Sequence, residues 1–138
     1  MYKKRILILE TEAATSSVLE AILKDEGYQP KTRNTTHELE SILAQFRPAG
    51  ILIARRIPDL GVVKAIELIR RSPFGRHAAV IYLTGSGLNV AEARLAGANT
   101  TIFKPIELNK LLITLEKFYK FKLNQHVFHL RTEQKTGR

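Results

Sequence analysis

Apolar residues in this chain fall into short unbroken runs, each closed by polar residues and followed by a stretch with helical spacing. The first run, Ile6-Leu7-Ile8-Leu9, stops at Glu10-Thr11-Glu12. A brief continuous apolar run with polar borders is the pattern of a strand buried on both faces. Ala13 to Glu26 follows as a predicted helix, with Val18, Ala21, Ile22 and Leu19 toward a core, and Gly27 suited to the left-handed position past its end. Tyr28 to Thr32 is a second, less apolar strand. Pro30 has no N–H to give a ladder, which places that strand at a sheet edge. Thr35 and Glu38 have the spacing of a capping box. They open a helix carrying Leu39, Ile42, Leu43 and Phe46 on one face, which Pro48 closes.

The same plan recurs along the rest of the chain. Gly50 to Ala54, Ala79 to Thr84 and Thr100 to Phe103 are predicted strands. Val62 to Arg71 is a helix with Val62, Ala65, Ile66 and Ile69 on its inner side. A short helix capped by Asn89 and Glu92 ends at Gly97. A last helix starts near Glu107, with Leu108, Leu111, Leu112, Leu115, Phe118 and Tyr119 as its stripe. Five strand–helix alternations imply a parallel sheet with helices on both faces. In open sheets of this kind ligands bind beyond the carboxyl ends of the strands. That places Glu10-Thr11-Glu12, Ala54-Arg55-Arg56, Thr84-Gly85 and Lys104-Pro105 together. No glycine-rich phosphate fingerprint follows the first strand, which argues against dinucleotide binding.

Composition narrows the picture. The 138 residues are 44% apolar and fit one domain with a real core. Without cysteine there is neither a disulfide framework nor thiolate chemistry. The apolar run after the basic N-terminus is too short for a signal peptide or a membrane span, so a cytoplasmic protein with no membrane contact is expected. The net charge of +9 is scattered, except that Lys120, Lys122, Arg131, Lys135 and Arg138 face only Glu133 near the end. A basic balance attracts nucleic acid and acidic partners. No interleaved aromatic motif accompanies it, so nucleic acid is not the expected partner. His126 and His129 read as a solvated face.

Five segments in order, Ile6 to Glu12, Pro48 to Pro58, Leu83-Thr84, Ala96-Gly97-Ala98 and Phe103-Lys104-Pro105, carry a family resemblance. Over residues 4–120 the chain resembles the receiver domain of two-component response regulators. The resemblance implies a flavodoxin-like α/β fold, a doubly wound (βα)5 sandwich whose five-stranded parallel sheet has the order 2-1-3-4-5. It also implies aspartyl phosphorylation at the end of the third strand. There an acidic pair holds Mg²⁺, a Thr and a Lys bind the phosphoryl oxygens, and an aromatic of the fifth strand acts as a switch.

Residue by residue, the correspondence breaks in half. Glu10 and Thr11 stand in the place of the acidic pair, and Ala54 in that of the phosphoacceptor. Arg56 stands where the loop backbone helps to hold metal, and Thr101 in the place of the switch. Thr84 and Lys104 are retained. The resemblance therefore implies a degenerate receiver without catalysis, without a cofactor and without Mg²⁺ binding. Lys104 is expected to pair with Glu10, and Arg55 or Arg56 to sit where the metal would be and neutralise Glu10 or Glu12. Thr84 is expected to cap its strand or the next loop. An anion site made by Thr84, Lys104 and the nearby arginines stays open. The partner is expected to be another signalling protein or an output domain, with a homodimer also open. Leu88, Ala91, Arg94, Asn109, Leu112, Glu116 and Tyr119 are the implied contact face. Residues 121–138 are expected to be a basic extension or linker. The alternatives are a regulatory domain cut from a hybrid histidine kinase or a DNA-binding regulator, a basic nucleic-acid-binding module, and an enzyme that phosphorylates itself elsewhere.

Overall fold

The computed structural model describes residues 4–118. Its elements run β1 (Arg5–Leu9), α1 (Ala13–Asp25), β2 (Gln29–Arg33), α2 (Leu39–Phe46), β3 (Gly50–Ala54), α3 (Val62–Arg71), β4 (Ala79–Thr84), α4 (Val90–Ala96) and β5 (Thr100–Phe103), then α5 over 108–118. The five strands form one parallel sheet in the order β2-β1-β3-β4-β5, as expected. Alternate residues of the same strands feed two separate cores, the consequence of the two-residue strand period. Leu7, Leu9, Ile51, Ile53, Val80 and Tyr82 pack under α2, α3 and α4. Ile6, Ile8, Leu52, Ile81, Leu83 and Ile102 pack with Leu19 and Leu23 of α1 and Leu111 and Leu115 of α5. β2 lies at an edge and carries Pro30, Lys31 and Arg33, residues that discourage pairing with another strand.

Three local expectations need correction. At α4 the Asn89 side chain makes no cap bond and instead donates to Glu92 at 2.9 Å. α1 turns Leu19 and Leu23 inward, while Val18 is 53% exposed and Ala21 is also exposed. Stripes 14-18-21 and 16-19-23 compete on this helix. The two leucines bring more apolar area, roughly 2 kcal/mol for each buried side chain, and they win the sheet. The capping box does not form either. Glu38 is itself the left-handed residue before α2, and no side chain caps that helix. The Thr35 hydroxyl instead bonds Asp59 and accepts from the His37 N–H. Thr36 fastens the same two loops: its hydroxyl donates to the Pro58 carbonyl at 2.8 Å and accepts from the Leu60 N–H at 2.9 Å.

The amino edge of the sheet is tied by Arg70, at the end of α3. Its guanidinium donates to the carbonyls of Gly97 (2.7 and 2.9 Å), Ala78 (2.7 Å) and Arg76 (3.0 Å), to that of Gly75 at the longer 3.5 Å, and to Asn99 Oδ1 at 2.8 Å. Asn99 Oδ1 also accepts from the Val80 N–H. Burial lowers the Arg70 pKa below its ordinary value. Gly97 is required there, because its φ is +130° and a Cβ would lie 2.5 Å from Arg70 Cγ.

Candidate functional site

At the carboxyl edge the loops after β1, β3, β4 and β5 enclose a cleft of about 310 Å³. It gathers Glu10, Thr11, Ala54, Arg56, Thr84 and Lys104, the six positions the sequence singled out. Strand pairing explains the convergence. β4 and β5 run in register from Ile81–Thr100 to Thr84–Phe103, and the Lys104 N–H donates to the Thr84 carbonyl at 2.8 Å. Thr84 and Lys104 are therefore held side by side as the strands end. β3 ends beside them, with Ala54 opposite Leu83.

Glu10 is 3% exposed, and both of its carboxylate oxygens are engaged. Oε1 accepts from Lys104 Nζ at 2.7 Å. Oε2 accepts from the backbone N–H of Thr11 at 2.9 Å and, at the longer 3.3 Å, from that of Glu12. A buried carboxylate needs such partners, since an unpaired charge in a low-dielectric setting is costly. The expected Lys104–Glu10 pair is present. The expected guanidinium partner is not: among the described residues, neither Arg55 nor Arg56 forms an ion pair or hydrogen bond with Glu10 or Glu12. The ammonium from the opposite wall and two amides of the acid's own loop already surround Glu10. Arg55 stays half-buried along the cleft wall and Arg56 exposed. Glu12 instead bonds the Thr15 hydroxyl.

Thr84 is buried, and its hydroxyl oxygen accepts from the N–H groups of Ser86 and Gly87, both at 3.3 Å. It thus organises the turn after β4, which is the capping role expected of it. Its remaining capacity is its own proton, for which Ser86 Oγ stands at 3.4 Å and the Tyr82 hydroxyl is a further partner. Thr101 is half-buried and lies in register with Tyr82 of β4. Sequence reasoning missed Tyr82. Its ring is fully buried, and its hydroxyl donates to the Leu88 carbonyl at 2.6 Å. Burial raises the phenol pKa, Glu92 adds to the rise, and a hydrogen bond with Thr84 and the Arg55 charge oppose it. The available signal was an aromatic inside an otherwise aliphatic strand, two residues before Thr84.

Mg²⁺ asks for several hard oxygen ligands in near-octahedral geometry. Glu10 has its oxygens occupied, Thr11 brings no carboxylate and Ala54 brings a methyl group, so these residues do not fit the ion. Among the described residues no group of three or more His, Cys, Asp or Glu side chains is placed to hold a metal.

The implied contact face is largely open. Leu88 is 56% exposed, Ala91, Arg94, Asn109 and Glu116 are exposed, and Leu112 is half-buried against the core. Tyr119, the histidines at 126 and 129, and the basic extension lie outside the described residues. Leu95, 89% exposed, and Phe103, 51% exposed, add apolar area that the sequence did not single out. A second, apolar groove of about 350 Å³ lies between the start of α1 and the loop after β5. Val18 lines it with Pro105, Ile106 and Leu108, and so faces this groove rather than a core. Among the described residues no helix is long and apolar enough to cross a membrane.

Comparison with known proteins agrees with this geometry. The sequence profile of the response regulator receiver domain family matches residues 6–116. NtrX-like response regulators of Rickettsia bellii and Rickettsia typhi are each 29% identical over 119 residues, which is 81% of this chain and 24% of theirs. The chain therefore spans about a quarter of the length of those curated relatives. The receiver domain of a Pseudomonas aeruginosa sensor histidine kinase, with magnesium in its active-site cleft, superposes with a TM-score of 0.77 at 26% identity, covering 85% of this chain and 98% of that one. The beryllofluoride-activated NtrC4 receiver dimer gives 0.76 at 29% identity, covering 85% and 97%.

Proposed function

Because the chain belongs to the response regulator receiver domain family, we propose that it is a two-component signalling domain that works without aspartyl phosphorylation. On this reading it catalyses nothing, needs no Mg²⁺, and acts by binding another signalling protein or an output domain. One observation carries the proposal. The buried acid of the cleft, Glu10, has both oxygens engaged by Lys104 and two backbone amides, beside a strand end that offers only the Ala54 methyl. Phosphoryl transfer needs a nucleophilic oxygen in line and cationic neutralisation of the departing group. Here neither an acceptor carboxylate nor a metal seat stands at the end of β3.

The same reading takes residues 1–120 as the receiver unit and 121–138 as a basic extension, in a cytoplasmic protein. The exposed Leu88, Leu95 and Phe103 are its contact surface, and the dimeric NtrC4 receiver is a precedent for self-association in a relative. Incubation with acetyl phosphate and Mg²⁺, followed by intact-mass measurement, tests the central claim. The mass is expected to stay unchanged. Addition of a phosphoryl group to any residue overturns the proposal.

A further inference from the structure

Along the chain the cations are dispersed, but folding collects a group of them at the amino edge of the sheet. Arg47 closes α2, Arg71 closes α3, Arg94 lies in the last turn of α4, and Arg76 sits in the turn before β4. All four are exposed, and among the described residues none has an ion-pair partner. The connections at this corner, residues 47–49, 72–78 and 97–99, hold no acid. The last acid of α3, Glu67, stands one turn back from Arg71. Acids instead lie in the loops of the opposite edge, at Glu10, Glu12, Glu38, Asp59 and Glu107. α5 also returns to the amino edge, where Phe118 packs near Lys4 and Ala79, and Lys120 and Lys122 come next in the sequence.

The turn at this corner is built rigidly. The Ser72 hydroxyl accepts from the Phe74 N–H at 3.2 Å, and its carbonyl accepts from the N–H groups of Gly75 at 3.2 Å and Arg76 at 2.9 Å. Arg70 binds the carbonyls of Gly75, Arg76 and Ala78 from the other side. A Cβ at Gly75 would lie 2.8 Å from the Ile69 carbonyl oxygen, so the turn presses directly on α3. Phe74 is thereby held 38% exposed, with the Arg47 guanidinium over its ring at 4.9 Å from the centroid. Arg47 gives its Nε proton to the Ala44 carbonyl and keeps its other guanidinium donors. A guanidinium stacked on an exposed ring, flanked by further cations, is a combination that takes a base together with its phosphates.

We propose that this corner binds single-stranded nucleic acid, with Arg71, Arg76 and Arg94 on its phosphates and a base stacked at the Phe74–Arg47 pair. Arginine suits phosphate because its planar fork meets two oxygens at once. The prearranged turn lowers the cost of ordering the surface on binding. An acidic protein segment offers charge without a flat ring for Phe74, and a duplex keeps its bases stacked on one another. The surface is separate from the carboxyl-edge cleft, so it stands whether or not the domain accepts a phosphoryl group.

Fluorescence anisotropy of a labelled oligothymidine with the full chain, over a series of KCl concentrations, tests it. Saturable binding is expected, with log affinity falling against log salt at a slope of about −2, the value for about three phosphates of a single strand. The Arg71→Gln/Arg76→Gln variant is expected to weaken binding roughly tenfold and to flatten the slope by about 1.4. Phe74→Leu should weaken binding about fivefold and leave the slope unchanged. Lys64→Gln/Lys110→Gln removes equal charge from exposed positions at the starts of α3 and α5, toward the opposite edge, and should leave affinity within about twofold. The oligothymidine paired with oligoadenosine should bind more weakly, and an oligoglutamate peptide should compete poorly. Absence of saturable binding, equal losses in the two charge variants, or wild-type affinity in Phe74→Leu overturns the assignment. So does a preference for the duplex or for oligoglutamate.

Discussion

Two cations stand at opposite edges of one sheet, and they are held in different ways. Arg70, at the amino edge, directs its guanidinium to four carbonyls and the Asn99 amide oxygen, with no acid among them. Lys104, at the carboxyl edge, meets a single carboxylate and keeps 27% of its side chain exposed. The first arrangement satisfies backbone acceptors at the starts of β4 and β5, and it fixes the end of α3, Gly97 and both strand starts relative to one another. The second balances a buried charge while leaving donors facing a cleft. One edge is a clamp, and the other retains unused binding capacity. The contrast follows from what each cation is given: a guanidinium matched by dipoles has no further work available, whereas an ammonium on one acid does.

Substitutions test that contrast, with Arg70 expected to weigh most. Arg70→Ala orphans several carbonyls and should lower stability by about 3 kcal/mol in urea denaturation. A loss under about 1 kcal/mol would mean that the clamp is decorative. Lys104→Met strands the Glu10 carboxylate and should cost about 2 kcal/mol, less than a fully buried pair because two backbone amides remain. The Glu10→Gln/Lys104→Met double variant should recover most of that loss. If it proves no better than the single variant, charge balance is not what Lys104 supplies. Tyr82→Phe removes the bond to the Leu88 carbonyl and should cost about 1 kcal/mol near neutrality. Its sign against pH follows from the raised phenol pKa. The unfolded phenol ionises first, so the folded form loses stability as pH rises past the ordinary tyrosine value of about 10. The gap between wild type and Tyr82→Phe should therefore narrow above that pH and stay constant below it. Arg55→Gln should change stability by less than about 0.5 kcal/mol, since the fold makes no use of that side chain.

Most of the framework was legible because its signals are local. β3, α3, β4 and β5 begin and end where expected, bracketed by Pro48, Pro58, Gly61, Pro73 and Gly97. α1 was misread because Ala14, Val18 and Ala21 make one apolar stripe and Leu19 with Leu23 another, and only the sheet decides between them. The capping box failed because Asp59, distant in sequence, engages Thr35. In the cleft, positions were legible and partnerships were less so. Ala54 announces itself by its place at the end of a buried strand. That Glu10 would leave the neighbouring arginines aside has no local mark, because the choice is made by a residue 94 positions away. Arg70 reads no differently from Arg71, and only the assembled turns show which of the two enters the fold.

The span between Glu10 and Lys104 has a consequence for how the protein is made. On the ribosome, β1 and its acid emerge early, and the lysine that balances it comes only after all five strands. Until then the nascent sheet carries an uncompensated interior charge, so the last loop closes the electrostatics of the first. A chain halted before residue 104 should remain a substrate for chaperones and proteases, although it already holds all five strands.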